Sequence, residues 1–249
     1  NIRPELRRHA GLLLGRLGWR PSDLDRFAEL PAGEFQAGIR KEAKEIPHMY
    51  WVGKYPVTNI QYARFVQEGG YHNREYWSED GWEWSTGKFD ERMLETVARD
   101  WLEHRPTAKR NVPYYWHNIE LSNPIVPVVG VCWFEAEAYC NWMSKKIVAV
   151  PDGYTVRLPH DDEWERAARG TDGREYPWGD VFEKTAANTW DSDAAGSGLG
   201  GTTAVSTFPQ GVGPEGAWDM SGNAWEWTAS WDDEDKKYRI VRGGSWIGY

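Results

Sequence analysis

The side chains best suited to nucleophilic or redox chemistry are scarce in this chain. Cys132 and Cys140 are its only cysteines, and both lie in the stretch CWFEAEAYC, whose pattern predicts one helix. Along a helix this separation places the two Cα atoms about 12 Å apart, which exceeds the reach of a disulfide. We therefore expect two reduced thiols and a cytoplasmic location.

Histidine and serine give no recognisable catalytic pattern either. The histidines are His9, His48, His72, His104, His117 and His160. No two of them have the spacing of three or four residues that would place both on one helical face as metal ligands. Ser245, in the stretch GGSW, has no His–Asp constellation in the sequence that would activate it as a nucleophile. The residue types therefore favour binding over catalysis.

Aromatic side chains are the most abundant candidates for recognition, because the chain has 17 Trp and 12 Tyr. They are dense in YHNREYWSEDGWEWSTG, which includes Trp82 and Trp84 and shows no clean periodicity. One interpretation is an insertion stabilised by its own aromatic contacts. The other is a binding loop, since exposed Trp and Tyr side chains often anchor binding surfaces.

The elements that position these residues are predicted to be short. Helices are indicated by a capping box formed by Thr58 and Gln61 and by the acidic first turn of PHDDEWERAARG. Strands are indicated in FAELPAGEFQAG, HMYWVGKYPVT and YRIVRGGSW. Short helices, short strands and long Gly-rich loops predict a single α+β domain over residues 28–249.

Residues 1–27 are predicted to form an N-terminal helix or linker. The apolar residues of this helix share one stripe, with arginines on the other face: Leu6, Ala10, Leu13, Leu14 and Leu17. The helix would either cap the domain or be the remnant of a linker to something upstream. Because Asn1 is not an initiator methionine, we expect the chain to be part of a longer multidomain protein.

The overall charge limits the classes of partner. The net charge is −9 and the isoelectric point about 5.3, which argues against a nucleic-acid partner. No apolar run approaches the roughly 20 residues that span a bilayer. We expect neither a nucleic-acid nor a membrane partner, but a protein or small-molecule ligand.

Seven stretches occur in the order typical of one family: PVTNIQYARF, VVGVCWFEAEAYCNW, RLPHDDEWERAARG, YPWGD, AANTW, GAWDMSGNAWEWT and VRGGSW. Over residues 28–249 the chain resembles the sulfatase-modifying-factor family, which contains the formylglycine-generating enzymes. The resemblance implies a formylglycine-generating-enzyme-type fold related to C-type lectins, and it implies that a C-terminal tail is missing here. Members include copper oxidases that convert a substrate cysteine to formylglycine, domains of iron enzymes of ergothioneine synthesis, and non-catalytic variable proteins of diversity-generating retroelements.

The catalytic motif of the family distinguishes these functions. In the oxidases it runs Gly-Gly-Ser-aromatic-x-Cys, and Gly248 occupies the cysteine position here. Because Cu(I) prefers thiolate ligands, we expect neither copper nor oxidase activity. The expected function is non-catalytic ligand binding or display, and the alternative is a copper oxidase acting on a cysteine of a sulfatase or other protein. The expected binding face comprises Ser245, Trp246, Ile247 and Tyr249, bordered by Trp82 and Trp84.

The resemblance also implies structural calcium at the GNAWEW loop. The implied ligands are main-chain oxygens of Ser221, Gly222 and Ala224 and side-chain oxygens of Glu226 and Asn223. These are the oxygen donors that calcium prefers. The alternative is a metal-free loop in which Glu226 pairs with a nearby arginine.

A second family calcium site uses an Asn-x-Trp loop and a downstream acid. Asn188 and the Thr189 carbonyl match the loop, and Leu199 would donate a carbonyl oxygen. The position of the acid is taken by Ser197, which weakens the implied site unless Asp191 or Asp193 substitutes.

Overall fold

The structure is a computed structural model that describes residues 2–89, 105–146, 152–190 and 199–247. The chain forms two compact units. Unit 1 comprises Asn1–Asn59, Ile119–Pro127 and Pro159–Tyr249, and unit 2 comprises Ile60–Asn118 and Val128–Leu158. The mixture of short helices and short strands confirms the predicted α+β class.

The strands of unit 1 pair as three antiparallel hairpin-like ladders. They are β1 (Phe27–Leu30) with β4 (Tyr50–Gly53), β2 (Gly33–Ala37) with β3 (Glu42–Ile46), and β5 (Glu226–Trp231) with β6 (Arg239–Arg242). In the last pair Glu226 lies opposite Arg242, and the register shifts between Trp227 and Trp231. Ladders this short leave much of the backbone in loops, which must find its hydrogen bonds elsewhere.

The described α-helices are also short. They are α1 (Pro4–Arg16), α2 (Asn59–Gln67), α3 (Glu79–Thr86), α4 (Trp133–Lys146) and α5 (Asp161–Arg169). Short 3₁₀ turns lie at Arg74–Tyr76, Thr107–Lys109 and Pro209–Gly211. Within the described part of the chain, no helix has both the length and the apolar character needed to cross a bilayer.

Helix α5 begins and ends where its sequence predicts. The main-chain N–H of His160 donates to the Glu163 carboxylate at 2.7 Å, which caps the first turn. Gly170 ends the helix with a φ of 72°, a conformation that glycine adopts without strain. The buried face of α5 packs into the core of unit 1, whose members are Leu30, Phe35, Ala37, Ile46, Tyr50, Trp164, Ala167, Ala168, Ala217 and Met220.

Unit 2 contains a cluster of aromatic rings and a buried ion pair between Arg105 and Glu135. Tyr62 stacks on Tyr139 with ring centroids 5.2 Å apart, and Phe65 packs edge-on against Tyr139 and Trp142. Cys132 and Cys140, at the start and middle of the α4 region, are free thiols, as the sequence predicts.

Candidate functional site

A concave pocket in unit 1 is a candidate binding site. Its volume is about 410 Å³, and it lies beside α5, the turn between β2 and β3, and residues 173–180. Apolar groups of Trp164, Tyr176 and Met220 form much of its wall, with charged side chains around them. An apolar cleft with a few converging polar groups is the usual form of a ligand site.

The glycine-rich corner after β6 forms one side of this pocket. Arg242 and Gly243 line it, and Gly243 and Gly244 have φ values of 89° and 75°. A Cβ atom on Gly243 would lie 3.3 Å from the Trp164 ring, so the chain passes too close to α5 for a side chain to fit easily. Gly243 and Gly244 therefore allow the turn, and Gly243 also allows the chain to lie close to the Trp164 ring.

Arg242 is anchored rather than free at the pocket wall. Its Nε atom donates to Asp161 at 2.5 Å, and its Nη2 atom lies 3.5 Å from the Glu165 carboxylate. The hydrogen bond to Asp161 raises the pKa of the guanidinium, against the opposing effect of burial. A ligand that enters the pocket thus meets a cation whose charge is already balanced.

The predicted binding residues at the C-terminal corner differ in exposure. Ile247 is 60% exposed, whereas Ser245 is only 6% exposed. The main-chain N–H of Ile247 donates to the Ser245 hydroxyl at 3.3 Å, and that of Trp246 donates to the Asn223 carbonyl at 3.4 Å. Ser245 therefore stabilises the turn, and Ile247 and the partly exposed Trp246 present surface. Tyr249 and Gly248 lie outside the described residues.

The predicted border of the binding face, in unit 2, requires a correction at Trp84. This side chain is 3% exposed, and the guanidinium groups of Arg105 and Arg110 lie 5.1 and 5.2 Å from the centre of its ring. It cannot serve as a surface anchor because its ring faces are covered by its own unit. Trp82 is partly exposed, with Arg74 5.9 Å from its ring, and its role in binding stays a prediction.

Asn223 closes the loop that precedes β5. Its side-chain oxygen accepts hydrogen bonds from the Thr203 N–H at 2.9 Å and from the Asn188 amide at 3.2 Å. Its own amide donates to the Thr203 carbonyl at 3.2 Å. With both acceptor positions of the oxygen used, the Asn223 side chain positions the loop. The φ of Asn223 is 67°, in the left-handed region that Asn tolerates better than most residues.

The carboxyl groups of Glu226 and Asp219 are enclosed beside this loop. One oxygen of Glu226 accepts a hydrogen bond from the Trp164 indole at 2.8 Å. The other oxygen of Glu226, and Oδ2 of Asp219, are buried without a hydrogen-bond partner in the described part of the chain. Burial raises the pKa of each group to about 7, and the negative charge of Asp219 contributes to the rise at Glu226.

The sequence leaves two interpretations of this loop: a calcium site, or a metal-free loop in which Glu226 pairs with a nearby arginine. Within the described residues the partner of Glu226 is the Trp164 indole, and no ion pair with an arginine is present. Asp219 is not predicted by the sequence, because no motif in the stretch WDMSGN indicates its burial.

The second implied calcium site is only partly described. Asn188 is 1% and Thr189 3% exposed, and the Asn188 carbonyl accepts the N–H of Asn223 at 2.7 Å. Leu199 is described and partly exposed, whereas residues 191–198, which include the predicted acids, lie outside the described residues. Across the described ranges no group of three or more His, Cys, Asp or Glu side chains is arranged to hold a metal ion. An ion at either loop would therefore need main-chain and amide oxygens.

Comparisons with known proteins match nearly the whole chain. A family model described as "Sulfatase-modifying factor enzyme 1-like domain" matches residues 18–249. The "Inactive C-alpha-formylglycine-generating enzyme 2" of Bos taurus is 31% identical over 251 residues, covering 89% of this chain and 76% of that protein. The "Formylglycine-generating enzyme" of Bos taurus is 29% identical, covering 92% of this chain and 68% of that protein.

Two further likenesses extend the comparison. The "Hercynine oxygenase" of Mycolicibacterium thermoresistibile is 30% identical over 229 residues, and the match covers 78% of this chain but only 43% of that protein. Among solved structures, the "Crystal Structure of CarF" has a TM-score of 0.56 at 17% identity and covers 90% of this chain and 88% of that chain. The structural likeness supports the fold alone.

Proposed function

The chain belongs to the sulfatase-modifying factor enzyme 1-like family, and from this premise we propose that it is a ligand-binding member that has lost the oxidase chemistry. The observation that carries the proposal is the glycine-rich corner. It retains Gly243, Gly244 and Ser245, but Gly248 stands where the resemblance implies the catalytic cysteine. The similarity to a relative named as inactive is consistent with this loss.

The remaining thiols are poor copper ligands. Both lie in unit 2, where burial raises the pKa of Cys132 well above its usual value and that of Cys140 to about 12. Since Cu(I) is bound by thiolates, neither group is ready to hold it near neutral pH. Their free state also fits the proposed cytoplasmic location.

The proposed ligand site is the pocket beside α5, together with the exposed part of the corner. Trp164 and Tyr176 offer apolar and aromatic surface in the pocket, while Trp246 and Ile247 present partly exposed and exposed surface after the glycines. Large rigid rings give contact area with few rotamers to immobilise, which suits recognition. The ligand is a protein segment or small molecule, and display of a diversified surface, as in retroelement variable proteins, is one form this function takes.

The alternative is a copper oxidase acting on a cysteine of a sulfatase or another protein. The similarity to a formylglycine-generating enzyme across 92% of this chain favours it. An oxygen-uptake assay with Cu(I) and a cysteine-containing peptide separates the two functions. We expect no uptake above the rate without protein. Turnover that disappears in a Cys132→Ser or Cys140→Ser variant would overturn the binding proposal.

We also propose that calcium binds at the loop before β5. The fit rests on the buried oxygen of Glu226 that has no described partner and on the main-chain oxygens of Ser221 and Ala224. A hard cation satisfies such oxygens where the protein offers no donor. The ion would hold together loops that have little regular hydrogen bonding of their own. Gly222 contributes less in this conformation, because its carbonyl already accepts the N–H of Ala224 at 2.9 Å.

A further inference from the structure

Helix α1 packs on unit 1 through its glycines. A Cβ atom on Gly11 would lie 2.9 Å from the Ala204 side chain, and one on Gly15 would lie 2.7 Å from Ile125. These contacts leave no room for side chains, so the helix backbone lies directly on its support. A hydrogen bond of 2.7 Å from the Asn123 amide to the Leu12 carbonyl fixes this arrangement.

Two arginines belong to the same inner face. Arg7 donates to the Thr207 carbonyl at 3.1 Å, and its guanidinium lies 5.2 Å from the Phe208 ring. Arg8 donates to the Thr202 carbonyl at 3.3 Å. The side of α1 that hydrophobic periodicity assigns to solvent is therefore the side that packs.

The leucine stripe of α1 faces outward instead. Leu6 is 52%, Leu13 59% and Leu17 74% exposed. The spacing of seven and four residues places these side chains on one line along the helix. Ile2 and Leu14, at 66% and 41%, widen the stripe. A contiguous apolar stripe on a folded surface marks an interaction site more often than scattered exposed residues do.

The charges on α1 and just after it are mainly positive. Arg3, Arg16 and Arg20 are exposed, and none of them forms an ion pair with any residue that the structure describes. Glu5 is the only acidic residue of α1. The chain as a whole carries a net charge of −9, so this basic strip is a local exception.

We propose that the outer face of α1 binds an acidic amphipathic helix of another polypeptide, an interaction beyond the proposed function of the pocket. Leucines at helical spacing fit the apolar side of such a helix, in the way that amphipathic helices commonly pair. Glutamates flanking that apolar side would pair with Arg3 and Arg16. A second copy of this chain fits less well, because pairing α1 with itself brings arginines together.

The test uses two synthetic amphipathic peptides of equal length and identical leucine spacing. One carries glutamate on both flanks and the other carries lysine. Isothermal titration calorimetry on the whole chain should show binding of the glutamate peptide and at least tenfold weaker binding of the lysine peptide. Replacing Leu13 by Gln should weaken binding of the glutamate peptide roughly tenfold, since a polar group takes the place of a leucine that the bound peptide would bury.

Matched variants separate a specific surface from general stickiness. Val181→Gln removes an apolar side chain that is 73% exposed elsewhere in unit 1, and binding should not change. Arg16→Glu should reverse the preference between the two peptides. Circular dichroism should show the same helical content for all variants, because every substituted side chain is exposed.

Three results would overturn the proposal. The first is equal affinity for both peptides, or binding to neither. The second is tighter binding to anionic phosphatidylserine vesicles, lost in Leu13→Gln, which would make the face a membrane contact. The third is a dimer in sedimentation that dissociates on the same substitution, which would make the occupant a second copy.

Discussion

Two buried carboxyl sites of this protein, one in each unit, are satisfied differently. In unit 2, Glu135 accepts hydrogen bonds from Arg105 at both oxygens, from the Tyr71 hydroxyl at 2.5 Å and from the Cys132 N–H at 2.8 Å. The Arg105 and Glu135 side chains are 1% and 0% exposed. A buried charge with this many partners is stable without any ligand.

In unit 1, the two carboxyl groups beside the loop before β5 are incompletely satisfied. Glu226 has the Trp164 indole at one oxygen and no described partner at the other, and Oδ2 of Asp219 also has none. Buried polar atoms in folded proteins nearly always find a partner. The Glu135 carboxylate is thus satisfied within its own unit, whereas Glu226 and Asp219 each keep one buried carboxyl oxygen without a partner in the described part of the chain.

The largest effect is expected from breaking the complete network. Arg105→Ala leaves the Glu135 charge buried and unpaired, which should lower the free energy of unfolding by about 3–5 kcal/mol. Urea denaturation followed by tryptophan fluorescence measures this change. The matched control is Lys145→Ala, which breaks the exposed pair with Glu75 in the same unit and should leave the midpoint unchanged. Similar losses in both variants would contradict the role assigned to burial.

Calcium should stabilise the incomplete site by a smaller amount. At a calcium concentration of one hundred times Kd the gain is about 2.7 kcal/mol. For a chain of this size that is roughly 5–10 °C in Tm. Chelation should reverse the shift in scanning calorimetry, and Glu226→Gln should abolish it.

Two controls make the calcium experiment specific. Magnesium at the same concentration should give a much smaller shift, because it keeps its waters and prefers a rigid octahedral site. Glu34→Gln removes a carboxylate from an exposed strand position and should leave the calcium effect intact. A calcium shift that survives in Glu226→Gln would move the site away from this loop.

The sequence predicted the parts of this site that depend on local patterns. The cap and the glycine end of α5 follow from its residues, and Glu226 follows from a short motif. The burial of Asp219 depends on contacts with distant segments, so it has no local signature. In helix α1 the local pattern is clear but does not predict the packing. Its apolar stripe is visible in the sequence, yet the side that contains the glycines and Arg7 and Arg8 contacts the rest of unit 1.

The aromatic segment of unit 2 shows a similar limit. Trp82 and Trp84 have the same residue type and nearly the same sequence context, yet Trp84 is buried and Trp82 is partly exposed. Their difference arises from Arg105 and Arg110, which cover the Trp84 ring and come from a separate segment. The composition identified an aromatic-rich segment, but only the structure shows which of its side chains are buried and which are exposed.

The smallest expected effect is the pH dependence of the calcium-free protein. The pKa values of Asp219 and Glu226 are raised to about 7 in the fold, whereas unfolded carboxyls titrate near about 4. Between these values the folded state binds more protons than the unfolded state, so stability falls as pH rises towards 8. In chelator we expect a loss of about 1 kcal/mol for each of the two carboxyl groups between pH 6 and pH 8. Asp219→Asn should flatten this slope because an amide does not titrate, and saturating calcium should remove it because the ion takes the place of the protons. A slope that is unchanged by both calcium and Asp219→Asn would contradict the raised pKa values assigned to Asp219 and Glu226.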